Sequence, residues 1–249
     1  MSGPPPAHVL VVAKAPVPGL AKTRLGAEVG MVEAATLATA ALLDTLDAAQ
    51  RYAGPHRCHV ALAGDLDEAV DGGGTLRAAL TGWTVRPQVE GDFDERLAAA
   101  HAEVPGPVVQ VGMDTPQVTP DLLAEVVAGL ADHDAVLAPA ADGGWWALAL
   151  RDPRDAVALR GVPMSTAGTG AATRAALEAA GLSVGSAPEL VDVDEVDDAR
   201  AVAAAAPSTR FARGWRAAIG EPDPSDRVVA PNHSSWTRRP DQQPAGGGR

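Results

Sequence analysis

The chain has 249 residues, a formal net charge of −12 and a single cysteine, Cys58. One cysteine excludes a disulfide framework within the chain, which fits a reducing cytoplasmic compartment, and the negative charge makes nucleic acid a poor partner. No apolar run reaches the ~18 residues of a membrane span, so we expect no membrane association. The composition leaves the oligomeric state open.

Short apolar runs alternate with helical patterns along the chain. We expect strands, in chain order, over residues 8–13, 60–63, 83–88, 107–112, 134–139 and 145–150. We expect helices over 27–50, 94–104, 119–131, 171–180 and 195–206, with a flexible break over 71–74. This alternation predicts an α/β fold with a mostly parallel central sheet and helices on both faces. We expect one domain over residues 1–219 and a disordered Pro- and Gly-rich tail over 220–249.

The loop after the first strand, AKAPVPGLAKTRLG, carries the first candidate site. It holds Lys14, Lys22 and Arg24 around Gly19, and the chain has no other lysine. Two lysines in one loop of an arginine-rich chain favour a site that needs compact ammonium groups, such as a phosphate site before a helix. An ordinary solvated loop is the alternative, and the loop does not fit a Walker A motif.

The loop after the fourth strand, VGMDTPQ, places Asp114 where ligands bind in open α/β sheets, with Thr115 beside it. A carboxylate there can bind Mg²⁺ that bridges phosphate oxygens. The alternative for Asp114 is a carboxylate that only caps a helix or closes a turn.

Two further segments carry candidate residues. Asp142, Gly143 and Gly144 predict a tight turn between two apolar strands, and the adjacent tryptophans, of which Trp145 is the first, could stack on a base or sugar. Five carboxylates crowd into VDVDEVDD, and such density repels itself unless a cation or a helix N-terminus offsets it. We expect Asp192 or Asp194 to face a metal ion.

Six segments occur in this order: VVAKAPVPGLAKTRLG, EGDFDERLAAA, VGMDTPQVTPDLL, APAADGGWWALAL, MSTAGTGAATRAAL and VDVDEVDDARAV. Together they resemble, over residues 8–215, the small GT-A-like transferase family known as DUF2064. That family is similar to nucleotidyltransferases such as the molybdenum cofactor guanylyltransferases and 2-phospho-lactate guanylyltransferase. The resemblance implies a Rossmann-like GT-A fold and a nucleotide-binding transferase domain.

The resemblance also implies roles for individual residues. In the relatives the loop after the first strand holds the phosphates, and an Asp-x-Pro aspartate and an aspartate of a C-terminal Asp-x-Asp hold Mg²⁺. The matching positions here are Lys14, Gly19, Lys22 and Arg24 for the phosphates, and Asp114 with Asp192 or Asp194 for the metal. The first loop lacks the Gly-Gly-x-Ser start of the guanylyltransferases, so no base is implied.

We therefore expect a transferase that depends on Mg²⁺ or Mn²⁺ and moves a nucleotidyl group from a nucleoside triphosphate (NTP) to a small-molecule acceptor. In this interpretation Lys14, Lys22, Arg24 and Asp114 act in catalysis, and pyrophosphate is released. The substrate-contacting residues are Gly19, Thr115, Asp142, Gly143, Gly144 and Trp145. A glycosyltransferase that uses a nucleotide-diphospho-sugar, with Asp142 as a base, is one alternative. A non-catalytic nucleotide-binding module is the other.

Overall fold

The computed structural model of the protein describes residues 7–221. Residues 1–6 and the segment 222–249, which holds nearly all of the expected tail, lie outside the described residues. None of the helices within 7–221 is long and apolar enough to cross a membrane.

Within the described residues, seven strands form one sheet in the order β3-β2-β1-β4-β6-β5-β7. The strands are β1 His8–Lys14, β2 Cys58–Ala63, β3 Thr84–Pro87, β4 Val108–Val111, β5 Ala135–Pro139, β6 Trp145–Leu150 and β7 Val184–Ser186. Only β6 runs antiparallel to its neighbours, β4 and β5. All six expected strands are present, and the predicted α/β class with a mostly parallel sheet is confirmed. The three-residue β7 was not predicted.

The α-helices of the same region are α1 Thr23–Val29, α2 Met31–Ala53, α3 Gly74–Ala79, α4 Phe93–Ala102, α5 Pro120–Ala128, α6 Thr169–Ala179, α7 Val196–Ala205 and α8 Arg210–Ala218. The expected helix over 27–50 is in fact two helices, because Gly30 has a φ of 95° and breaks the helical path. The expected break over 71–74 overlaps the start of α3. This helix begins at Gly74, because Gly73 adopts a left-handed conformation that caps it. Neither α3 nor α8 was predicted.

The helices cover both faces of the sheet, and the alternation of side chains along β1 shows how. Val9 and Val11 face a cluster that includes Leu42 of α2 and Leu123 of α5. Leu10 and Val12 face the opposite cluster with residues of α4 and α6. A third cluster joins α1, α2, α7 and α8 beyond the sheet. Burial on both faces explains why the strands are almost continuously apolar.

The strand order reverses between β1 and β4. From β1 the chain continues outward to β2 and β3 on one side, and it then returns to place β4 on the other side of β1. In open α/β sheets such a switch point opens a crevice at the carboxyl ends of the two strands, and ligands bind there. The loop that follows Lys14 and the loop that carries Asp114 both leave the sheet at this crevice.

Candidate active site

The loop after β4 brings Asp114 to the crevice and joins it to the segment that follows β7. The backbone N–H of Val193 donates to the carbonyl oxygen of Asp114 at 2.9 Å. The side chain of Gln117 donates to the carbonyl oxygen of Val191. A Cβ on Gly112 would lie 2.8 Å from a carboxylate oxygen of Asp114, so glycine at this position leaves room for that carboxylate.

These two bonds join the segments that carry three carboxylates. Asp114, Asp192 and Asp194 each offer an oxygen atom within 4.8 Å of the others, and all three side chains are partly exposed. No other group of three or more potential metal ligands this close together occurs among residues 7–221. Carboxylate oxygens are ligands that Mg²⁺ and Mn²⁺ accept, so the donor set fits a divalent ion.

Lys22 and Arg24, at the end of the loop next to α1, contact two of these three carboxylates and share Asp194. Lys22 Nζ donates to Asp114 Oδ2 and to Asp194 Oδ1, at 2.8 Å each. Arg24 donates to the other oxygen of Asp194 at 2.7 Å and to Glu195 at 3.2 Å. The Lys22 side chain is only 12% exposed, whereas that of Arg24 is 66% exposed. The Lys22 bridge is therefore the better shielded of the two and the stronger contact.

The same crevice receives Lys14 at the end of β1. Its ammonium donates to the carbonyl oxygen of Leu20 at 3.0 Å, which braces the loop. Together with Lys22, Arg24, Asp114 and Asp194 it lines a crevice of about 250 Å³. The sequence-predicted phosphate and metal residues are thus brought together, although the cations contact carboxylates and a backbone carbonyl here.

The electrostatics of the cluster differ from one member to the next. Burial alone lowers the pKa of Lys22, but Asp114 and Asp194 outweigh burial and raise its pKa above the ordinary value. Burial raises the pKa of Asp194, but Lys22 and Arg24 leave it lowered overall. Burial, and then the charges of Asp114 and Asp142, raise the pKa of Asp192 to about 6. Asp192 is therefore the carboxylate that the local cations neutralise least.

Thr115 and Gly19, two of the predicted substrate residues, are not among the residues that line this crevice. Thr115 is buried, and its hydroxyl has no hydrogen-bond partner among the described residues. Gly19 has a φ of 78°, so it serves the turn over residues 18–20. Gly19 has open space around its Cα, which leaves room for a ligand there.

The turn between β5 and β6 is built as the sequence predicts. Gly144 N–H donates to Asp142 Oδ1 at 2.7 Å, and Gly143 has a φ of 89°. A Cβ on Gly143 would overlap the carbonyl oxygen of Ala167, and the N–H of Gly170 donates to the carbonyl of Gly143 at 2.8 Å. The turn is therefore packed against the start of α6, and Asp142 is held where its charge acts on Asp192.

The two tryptophans after this turn pack into the fold. Trp146 is buried, and its indole N–H donates to the carbonyl of Pro188 at 2.8 Å. Trp145 is half-buried against the α4 and α6 side of the sheet, and its N–H donates to Thr173 at 3.1 Å. Trp146 therefore belongs to the core, and the stacking role of Trp145 stays a prediction.

Sequence reasoning missed the parts of the site that depend on packing between distant segments. Gln117 is the last residue of VGMDTPQ, but its bond to Val191 depends on the folded arrangement of two distant segments. Glu195 was seen as part of the acidic run, yet its pairing with Arg24 has no local signal.

The family comparison agrees with this geometry. The DUF2064 family model, described as an uncharacterized protein conserved in bacteria, matches residues 45–166. The predicted resemblance to DUF2064 is confirmed. The matched region includes Asp114 and the Asp142–Trp145 turn, while the loop after β1 and the Asp192–Asp194 segment lie outside it. No curated protein matches the chain.

Solved structures extend the comparison over most of the chain. A protein of Desulfovibrio desulfuricans G20, provisionally named a nucleotide-diphospho-sugar transferase, is 26% identical with a TM-score of 0.71, covering 86% of this chain and 94% of its own. This likeness supports the general prediction of a nucleotide-related transferase.

Two more distant structures share the fold. The 4-diphosphocytidyl-2C-methyl-D-erythritol synthase of Anaerococcus prevotii DSM 20548 is 10% identical with a TM-score of 0.52, covering 81% of this chain and 99% of its own. The inositol-1-phosphate CTP transferase of T. maritima is 10% identical with a TM-score of 0.51, covering 78% and 91%. At this identity the likeness establishes the Rossmann-like fold alone.

Proposed function

We propose that the chain is a divalent-metal-dependent transferase that binds an activated nucleotide in the crevice between β1 and β4. The observation that carries this proposal is the convergence of three carboxylates, Asp114, Asp192 and Asp194, with Lys22 and Arg24 at that switch point. A structural ion-pair cluster would not require a position at the ligand-binding edge of the sheet.

The charge balance of the site favours a metal ion together with the nucleotide. Lys14, Lys22 and Arg24 face four carboxylates, those of the three aspartates and of Glu195. The formal excess is one negative charge, which repels phosphates. A bound Mg²⁺ or Mn²⁺ would reverse the sign of the site and neutralise charge on phosphate oxygens. The same three aspartates would hold the ion.

We place nucleotidyl transfer first among the reactions that fit. A nucleoside triphosphate would lie with its phosphates along the loop after β1, and Lys14, Lys22 and Arg24 would offset the charge of the departing pyrophosphate. This requires Lys22 to exchange its carboxylate partners for phosphate, whereas Arg24 would contribute its charge from its place on Asp194. We expect the small-molecule acceptor near Asp142, which is fixed by its tight turn and whose charge acts on Asp192.

Glycosyl transfer from a nucleotide-diphospho-sugar is the second candidate, and one observation favours it. The D. desulfuricans protein, which carries this provisional name, is 26% identical to the chain, against 10% for each of the other two structures. A diphosphate also carries less charge than a triphosphate, and two of the three cations of this site already have carboxylate partners. Asp142 would then act as the base on the acceptor hydroxyl.

One screen separates the two reactions. Purified protein with Mg²⁺ or Mn²⁺ is incubated with each NTP and each nucleotide-sugar, together with pools of small phosphorylated or hydroxylated acceptors. Mass spectrometry then follows the products. Pyrophosphate release supports nucleotidyl transfer, and nucleoside diphosphate release supports glycosyl transfer. Metal-independent binding without any product would support a non-catalytic module.

A further inference from the structure

Lys22 occupies the position that a cation between Asp114 and Asp194 would take. Its ammonium contacts one oxygen of each carboxylate at 2.8 Å and is largely shielded from solvent. An ammonium has three donors, and two of them are used in this bridge. The carboxylates are about one third exposed and the lysine 12%, so the pair is more open to the crevice than the lysine is.

The backbone at Lys22 is set in an unfavourable conformation. Lys22 lies just before α1 with φ 49° and ψ 48°, and its side chain makes no capping bond to the helix. The left-handed region costs a residue with a Cβ about 1 kcal/mol or more, and such residues cluster at ligand sites. A lysine kept at a position that suits glycine indicates that the bridge to the carboxylates compensates the strain.

From this geometry we propose, as an inference that rests on the proposed function, that Lys22 is an exchangeable internal counter-ion that holds the metal position until a metal–phosphate complex arrives. A divalent ion needs the oxygens that Lys22 contacts, and two cations on one oxygen pair repel each other. The ion and the bridging ammonium therefore exclude each other.

The displaced ammonium needs a new anion, because its side chain is buried beside the site. Phosphate oxygens that arrive with the ion supply it. Metal and phosphate consequently bind together, while the free ion alone binds weakly. Arg24 keeps its separate contact with the outer oxygen of Asp194 and holds that carboxylate in place.

The first test measures Mn²⁺ binding without nucleotide by electron paramagnetic resonance of the free ion. Lys22→Met should bind Mn²⁺ ~10-fold or more tightly than the wild type, a coupling of ordinary size between two sites. Lys22→Gly, which also removes the backbone strain, should show the same increase in Mn²⁺ affinity. Lys14→Met is the matched control, since it removes the same charge from the same crevice without emptying the bridge, and its affinity should change less than ~3-fold.

Equal affinity gains in Lys14→Met and in the Lys22 variants would overturn the proposal, because they would reflect net charge alone. An unchanged or weaker affinity in both Lys22 variants would also overturn it. If the Lys22 variants gain affinity but no nucleotide in the screen reacts, the counter-ion proposal stands and the proposed function fails.

The second test uses the fact that the chain has only two lysines. Lysine-selective ¹³C and ¹⁵N labelling gives two side-chain signals, which Lys14→Met assigns. Mg²⁺ with inorganic pyrophosphate should shift the Lys22 signal, and the same concentration of Mg²⁺ alone should leave it in place. A Lys22 signal that Mg²⁺ alone shifts fully, or that the complex never shifts, would overturn the exchange.

Discussion

The substitution Asp114→Asn removes a charge from the site while it preserves the shape of the side chain. Asp114 supplies one of the two carboxylates on Lys22 and one of the three aligned oxygens. Its side chain is 31% exposed, and Asp194 still pairs with Lys22, so we expect a stability loss of only about 1 kcal/mol. The loss in turnover should be at least ~100-fold, or about 2.7 kcal/mol, because a ligand charge is missing from the reacting centre.

The two effects differ enough to be measured separately. Urea unfolding gives the stability, Mn²⁺ titration gives the metal affinity, and the rate on the substrate found by the screen gives the turnover. Asp132→Asn is the matched control, since Asp132 is exposed and precedes β5. It therefore lies at the amino end of that strand, away from the carboxyl ends that form the crevice. A full metal-dependent rate in Asp114→Asn would refute the reasoning, and Asp114 would then be only a turn residue.

Three further predictions address the supports of the site and the pH dependence of folding. Gly112→Ala should weaken Mn²⁺ binding although no charge changes, because its Cβ would displace the nearby carboxylate of Asp114; unaltered binding would show that the carboxylate moves freely. Gly143→Ala should cost clearly more in urea unfolding than Gly161→Ala, since both have positive φ but only Gly143 is crowded; equal costs would contradict this packing. Burial lowers the pKa of His101 to about 4. The contribution of the neutral ring to the free energy of unfolding is therefore fully present above pH ~6.5 and should fall by on the order of 3 kcal/mol as the pH drops towards 4. An NMR titration of His101 with an ordinary midpoint near pH 6.5 would contradict this prediction.

The strands and most helices follow from local patterns. The apolar runs of β1 and β4 have few alternatives in a chain of this composition, and Thr119 caps α5 at the start of the helix expected over 119–131. The break at Gly30 was missed because the alanine-rich pattern continues through it, and only the positive φ ends α1. The short strand β7 and helix α8 depend on packing against β5 and α2, which no local window of sequence contains.

The candidate site was predicted from the chemistry of its side chains more than from their spacing along the sequence. The two lysines, the Asp-x-Pro aspartate and the acidic run near residue 194 were each ambiguous alone, and the structure brings them to one crevice. What the sequence could not indicate is how they pair, since the contact of Lys22 with Asp194 spans 172 positions. Asp192 and Asp194 were interchangeable in the pattern. In the structure two cations contact Asp194, whereas burial and neighbouring carboxylates raise the pKa of Asp192.

The most direct test of the central claim is nucleotide binding measured by calorimetry with and without divalent metal, in the wild type and in Asp114→Asn. The account predicts that an NTP or a nucleotide-sugar binds the wild type with Mg²⁺ or Mn²⁺, and that removal of the metal or of the Asp114 charge weakens binding by ~10-fold or more. Equal affinity with and without metal, or in both proteins, would contradict a metal-bound nucleotide at the crevice between β1 and β4.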